Sequence, residues 1–223
     1  MRILVVSAHP DDEVLGPGGS IVAHARAGHD VTIMLACCGT NLRYGREEAD
    51  RLARTSEQVA ATLGARKVVF GDLPDQALDT MTLTEVARRM EKTIESVDPQ
   101  MIYTHYWGDI NRDHRILCEA VMVAARPFAA PGVAQIHCFE TPSSTEWGPP
   151  GGLPQFAPQR FVDISATLER KLAAFALYTS EVRPWPHPRS PQALEARART
   201  WGSVIGRDAA EAFMVARDVC SGD

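Results

Sequence analysis

The sequence predicts an α/β fold: a Rossmann-like, three-layer sandwich with a mostly parallel sheet and a C-terminal helical and loop cap. Three observations point there. Short apolar, β-branched runs alternate with amphipathic stretches along the chain. Each intervening stretch is long enough for the right-handed crossover that parallel strands require. Gly28 and Gly64 stand where the first two long helices would end, as C-terminal caps commonly do.

Taken in order, Arg2 to Ala8 reads as the first strand, then Val31 to Ala36, Val68 to Phe70, Met101 to Thr104 and Ile136 to Phe139. Between them, Gly19 to Ala27, Arg46 to Leu63, Leu83 to Val97 and Arg115 to Ala125 carry helical periodicity. From Thr141 to Pro158 the pattern dissolves into a Pro- and Gly-rich stretch holding Trp147. A long irregular segment inside a compact domain reads as a lid over a site, with a plain connection as the alternative. A short strand near Phe161 follows, then helical stretches at Leu168 to Leu177, Ala193 to Val204 and Ala209 to Ala216. At 223 residues and 45% hydrophobic content, one domain over 1–223 is expected, with a core at 1–140 and the lid and cap at 141–223.

Composition narrows the partners. A net charge of -5 with no run of basic residues gives no electrostatic footprint for nucleic acid or an anionic membrane. The apolar start is too short for a signal sequence or a membrane span and reads as a buried strand. Five cysteines, an odd number without C-x-x-C spacing, argue against a disulfide framework or a thiolate zinc site. Free thiols and cytoplasmic residence are the expectation. Adjacent Cys37 and Cys38 read as small buried hydrophobes.

The chemistry concentrates in Ala8-His9-Pro10-Asp11-Asp12-Glu13, directly after the first strand, where open parallel sheets place ligands. Three acids and an imidazole this close repel and suffer desolvation unless a cation is present. His9 and Asp12, three residues apart, can face one point, with Asp11 turned elsewhere: two ligands and one base. A catalytic zinc takes three protein ligands and keeps one open position. His114, in Gly108-Asp109-Ile110-Asn111-Arg112-Asp113-His114 after the fourth strand, is the matching partner. In a 3-2-1-4-5 strand order the first and fourth strands flank the switch point, so His9, Asp12 and His114 would meet there.

AHPDDE after the first strand, with N-x-D-H about a hundred residues later, resembles the PIG-L/LmbE family of zinc-dependent N-acetylglucosaminyl deacetylases. Gly18-Gly19, Arg54-x-x-Glu57 ahead of Leu63-Gly64, the PSSTEW loop, Tyr178-x-Ser180-Glu181 and PHPRS extend the likeness along most of the chain. The resemblance implies zinc at His9, Asp12 and His114, with Fe2+ and other divalent ions able to occupy such a set, Asp11 as general base and Arg54 as a site arginine. It implies a small-molecule substrate, an N-acylated amino sugar or conjugate, and self-association is common in the family. One departure stands out: several members have a histidine, implicated in stabilising the oxyanion, where this chain has Asn111, which donates a hydrogen bond but carries no proton or charge.

Further assignments carry alternatives. Asp11 is either the base or the N-cap of the helix that follows. His105 contacts substrate or is packed core; Asp113 orients His114 or is a solvated loop charge. Trp147 is placed to stack on a sugar face, and His187 is a substrate contact or an exposed loop histidine. His24 and His29 read as surface. Gly16-x-Gly18-Gly19 lacks the third glycine of a dinucleotide loop. Two other functions fit the ligand set: a non-haem iron enzyme, since two His and one carboxylate also serve iron, and a metal-stabilised sugar-binding protein without turnover.

Overall fold

Arg2–Ser7 forms β1, and five of its six residues are buried, as expected of a strand covered on both faces. The computed structural model describes residues 1–39, 46–149 and 151–220. β2 (Asp30–Leu35), β3 (Lys67–Phe70), β4 (Met101–His105), β5 (Gln135–Phe139), β6 (Arg160–Asp163) and β7 (Ala210–Asp218) join β1 in one sheet of order β3-β2-β1-β4-β5-β7-β6. The first five strands are mutually parallel, while β7 runs antiparallel to both β5 and β6. The order reverses between β1 and β4.

The helices are α1 (Asp12–Leu15), α2 (Gly18–Arg26), α3 (Arg46–Leu63), α4 (Leu83–Val97), α5 (Arg112–Ala124), α6 (Leu168–Phe175) and α7 (Pro191–Ile205). Alternate residues of β1 feed two cores. Ile3 and Val5 pack with Ile21, Val59, Leu63 and Phe175 from α2, α3 and α6. Leu4 and Val6 pack with Val86, Met90, Leu117 and Val121 from α4 and α5. Each such side chain contributes roughly 1.5–3 kcal/mol on burial, and together they make the three layers the sequence predicts. α4 begins with a capping box between Thr82 and Glu85, which pins its first turn.

One element differs from expectation. Ala209 to Ala216 reads as a helix, yet the segment is strand β7, paired on both sides. Its helix-forming alanines yield to two ladders of backbone hydrogen bonds, a case of tertiary context overriding propensity. Glu211 explains the polar position: its carboxylate accepts from the Gly19 and Ser20 N–H groups, both at 2.8 Å, and from Lys171 Nζ at 2.6 Å. It therefore plugs the N-terminus of α2 rather than facing solvent.

The glycines before α2 serve packing. A Cβ on Gly16 would lie 2.3 Å from Phe139 Cδ2, and one on Gly19 would lie 2.9 Å from Ile164. All five cysteines are free. Among the described residues no helix is long and apolar enough to cross a membrane. His24, expected at the surface, is half-buried and hydrogen-bonded to Tyr103 at 2.9 Å and His29 at 3.0 Å.

Candidate active site

The chain leaves β1 at the reversal point and turns at Asp11, whose φ of 103° is left-handed. Such a backbone costs a non-glycine residue about 1–3 kcal/mol and persists where surroundings enforce it. Here the Asp11 N–H donates to Glu13 Oε2 at 3.0 Å, and Tyr178 donates to Glu13 Oε1 at 2.6 Å. Burial pushes the Glu13 carboxyl up to about 7. The Asp11 side chain makes no capping bond to α1, so the helix-cap alternative is not realised. Its carboxylate instead accepts from Arg189 Nη1 at 2.7 Å, and both residues line one cavity.

That turn brings three donors together. His9 Nδ1 and His114 Nε2 each lie 3.3 Å from Asp12 Oδ2 and 3.4 Å from one another. A tetrahedral zinc with bonds of about 2.0–2.1 Å sets its donors about 3.3–3.4 Å apart. An octahedral ion at the same bond lengths draws them to about 2.8–3.0 Å. All three residues are buried, and the triad fits a four-coordinate ion. Cys37 and Asp113 also offer atoms within 4.8 Å of His9, a competing set on the same histidine.

Electrostatics agree with the spacing. Burial pulls the His9 and His114 imidazoles down, yet His9 is raised, chiefly through Asp113 and Asp12. The Asp12 and Asp109 carboxylates draw His114 up to about 10. Asp12, opposed by its own burial, is held well below the usual carboxylate range by His114 and His105. A cluster that raises its imidazoles against burial favours positive charge at its centre, whether proton or metal.

Outer contacts fix both histidines of the triad. His9 Nε2 lies 3.1 Å from Asp113 Oδ2 and 3.2 Å from Asp75 Oδ1. Asp113 is itself held by the N–H groups of Gln76 (2.7 Å) and Leu78 (3.1 Å). Asp113 thus orients His9 rather than its sequence neighbour His114. His114 Nδ1 faces Asp109 Oδ1 at 3.3 Å. His105 stacks on the His114 ring at 3.8 Å, accepts from the Ala8 N–H at its Nε2 (2.9 Å) and meets Thr141 Oγ1 through Nδ1 (3.2 Å). It is wholly buried and absent from the cavity wall, packed against His114 rather than open to a ligand in the cavity.

The cavity, about 340 Å³, opens over the triad, a size suited to a small-molecule ligand. Asn111 lines it. As N-cap of α5, the Asn111 side-chain oxygen accepts from the Asp113 N–H at 2.9 Å, which leaves the amide NH2 as its remaining donor group. Ser143 and Ser144 of the irregular segment and Arg189 and Glu181 from beyond it also line the cavity, so that segment borders the site; Pro150 within it lies outside the described residues. Trp147 and His187 do not line the cavity. Their rings meet edge to face at 5.8 Å, and Trp147 is 53% exposed.

Arg54 is not brought to the cavity. The buried stripe of α3 runs through Leu52, Ser56, Val59, Ala60 and Leu63, and Arg54 falls off it, exposed. The guanidinium in the wall is Arg189, held also by Glu181 (2.8 Å) and Ser143 (2.7 Å). Sequence reasoning gives no role to Asp109, Arg189, Glu181, Asp75 or Gln76. Asp75 and Gln76 carry a usable signal, since they follow β3 at the same carboxyl edge of the sheet.

The sequence profile of the PIG-L family, described as GlcNAc-PI de-N-acetylase, matches residues 4–125. The chain is 30% identical over 210 residues to the 4-oxalmesaconate hydratase of Pseudomonas putida, covering 82% of this chain and 75% of that one. It is 25% identical over 192 residues to a probable N-acetyl-alpha-D-glucosaminyl L-malate deacetylase 2 of Bacillus cereus, covering 81% and 83%. Among solved structures, a conserved protein of Thermus thermophilus superposes with a TM-score of 0.76 at 25% identity, covering 99% of this chain and 97% of that one.

Proposed function

Because the chain belongs to the PIG-L family, with its GlcNAc-PI de-N-acetylase profile, we propose that it is a zinc-dependent hydrolase that removes an N-acyl group from an amino sugar or amino-sugar conjugate. The observation that carries the reading is the convergence of His9, Asp12 and His114 at tetrahedral spacing beside a carboxylate, Asp11, in the same cavity wall. His9, Asp12 and His114 would hold the zinc ion, which when bound would supply Lewis acidity at the amide carbonyl and acidify a water molecule. Asp11 takes the proton of the attacking water and delivers it to the amide nitrogen as the C–N bond breaks and the new C–O bond forms. Arg189 holds the Asp11 carboxylate in place. The Asn111 NH2 group supplies a neutral donor for the developing oxyanion. Trp147 and His187, outside the cavity wall, serve the remoter part of a substrate larger than one sugar.

A second reading, addition of water to a carbon–carbon double bond, is favoured by the relative named as a hydratase. It uses the same acidified water and base but expels no amine. The test follows acetate release from a panel of N-acetylated amino sugars alongside loss of ultraviolet absorbance from unsaturated dicarboxylates. Acetate release is expected; hydration without acetate release would replace the first reading with the second. In the same assay Asp11→Asn is expected to keep zinc and lose about 10²- to 10⁴-fold in turnover. Asn keeps the size of Asp and cannot accept the water proton, so near wild-type turnover would remove Asp11 from the chemistry.

A further inference from the structure

Asp109 is wholly buried, and at its carboxylate the lid turn meets a metal-ligand histidine. Oδ1 accepts from the Asn111 N–H at 2.8 Å and from the Ser144 hydroxyl, and it lies 3.3 Å from His114 Nδ1. Oδ2 accepts from the Thr145 hydroxyl at 2.6 Å. Ser144 and Thr145 belong to the turn closed by their own N–H groups on the Thr141 carbonyl, at 3.1 and 2.9 Å. His114 Nδ1 is buried without a well-directed hydrogen bond. An imidazole that binds a metal through Nε2 carries its proton on Nδ1, and that proton needs an acceptor. The carboxylate within its reach is the one that holds the lid.

We propose that Asp109 is a positioning residue coupling the lid turn to His114, so that metal retention and lid order depend on each other; this rests on the metal reading above. The dependence runs both ways, because a coupling free energy between two sites is reciprocal. Asp113 is the natural control. Held by Gln76 and Leu78, it steadies the other histidine and, among the described residues, makes no such bond to the lid.

The experiment measures zinc affinity by chelator competition and amide hydrogen exchange at Ser144, Thr145, Trp147 and Gly148, with and without zinc. In the wild type zinc binds and slows exchange at those amides. Asp109→Asn is expected to weaken zinc about 10- to 100-fold, the usual effect of losing an outer partner of a metal ligand, and to abolish zinc-dependent slowing even at saturation. Asp113→Asn weakens zinc comparably but keeps the slowing once saturated. Thr145→Val, which leaves every carboxylate in place, weakens zinc about fivefold or more and carries the test if Asp109→Asn does not fold. A wild type that binds no zinc overturns the metal reading and the coupling with it. A wild type that binds zinc while Asp109→Asn, or Thr145→Val in its place, shows unchanged affinity or undiminished lid protection overturns the coupling alone.

Discussion

Two groups of histidines pack on the same sheet and behave oppositely. At the carboxyl ends of β1 and β4, His9 and His114 are drawn up, His114 to about 10, although burial opposes it. Around Tyr103, under α2, burial takes His24 and His137 down to about 4, with Arg160 adding to the lowering at both. Burial penalises the imidazolium in both places. The difference is the carboxylates: Asp12, Asp109 and Asp113 stand within 3.3 Å of a site imidazole. Clustered histidines therefore seek a cation only where acids are built in beside them. His105 marks the boundary: it lies against the site, yet burial and neighbouring His114 hold it at about 4, and its Nε2 accepts a backbone N–H.

Removing one acid should break the contrast most severely. Asp12→Asn keeps the shape of the site and deletes its central charge, so zinc affinity is expected to fall by more than about 100-fold, beyond the range of outer-partner losses, and turnover with it. Stoichiometric zinc in this variant would show that the carboxylate is not a ligand.

The second cluster gives a smaller effect of opposite sense. His137 takes up a proton near 6.5 when unfolded but only near 4 when folded, so the unfolded state binds more protons between those values. Its stabilising contribution is complete above about 6.5 and is lost as pH falls toward 4, by about 2–3 kcal/mol at pH 4.5. Urea unfolding at pH 7 and pH 4.5 should show His137→Phe with less acid destabilisation than the wild type. Equal losses in the two proteins would mean that His137 is not held neutral.

The smallest effect is expected at the rim. Trp147→Ala removes an exposed ring outside the cavity wall, and its proposed stacking on the remoter part of the substrate is worth about 0.5–1.5 kcal/mol. A rise in KM of roughly 2- to 10-fold with unchanged kcat follows. A collapse of kcat would place this ring at the reacting centre.

What is legible in the sequence follows from range. The five parallel strands and α3 and α4 emerge from local periodicity, and the triad from a topology that fixes which strand ends adjoin. β7 reads as a helix because Ala-Glu-Ala-Phe-Met-Val satisfies a helical pattern, and only its two ladder partners decide otherwise. Asp113 falls to the wrong histidine in a sequence reading because neighbouring residues on a helix point about 100° apart and do not face each other. Its actual partner, His9, lies 104 positions away. Arg189 reaches Asp11 across 178 positions, a contact no local pattern encodes.

In the proposed site one metal sits on His9 Nδ1, Asp12 Oδ2 and His114 Nε2 in four-coordinate geometry. X-ray absorption at the zinc edge of the protein loaded with one equivalent tests it directly. The expected result is a four-coordinate ion with two imidazoles and only nitrogen or oxygen ligands at about 2.0–2.2 Å. A sulfur ligand at about 2.3 Å would move the metal to the set containing Cys37, and six-coordination would contradict the tetrahedral reading of the donor spacing.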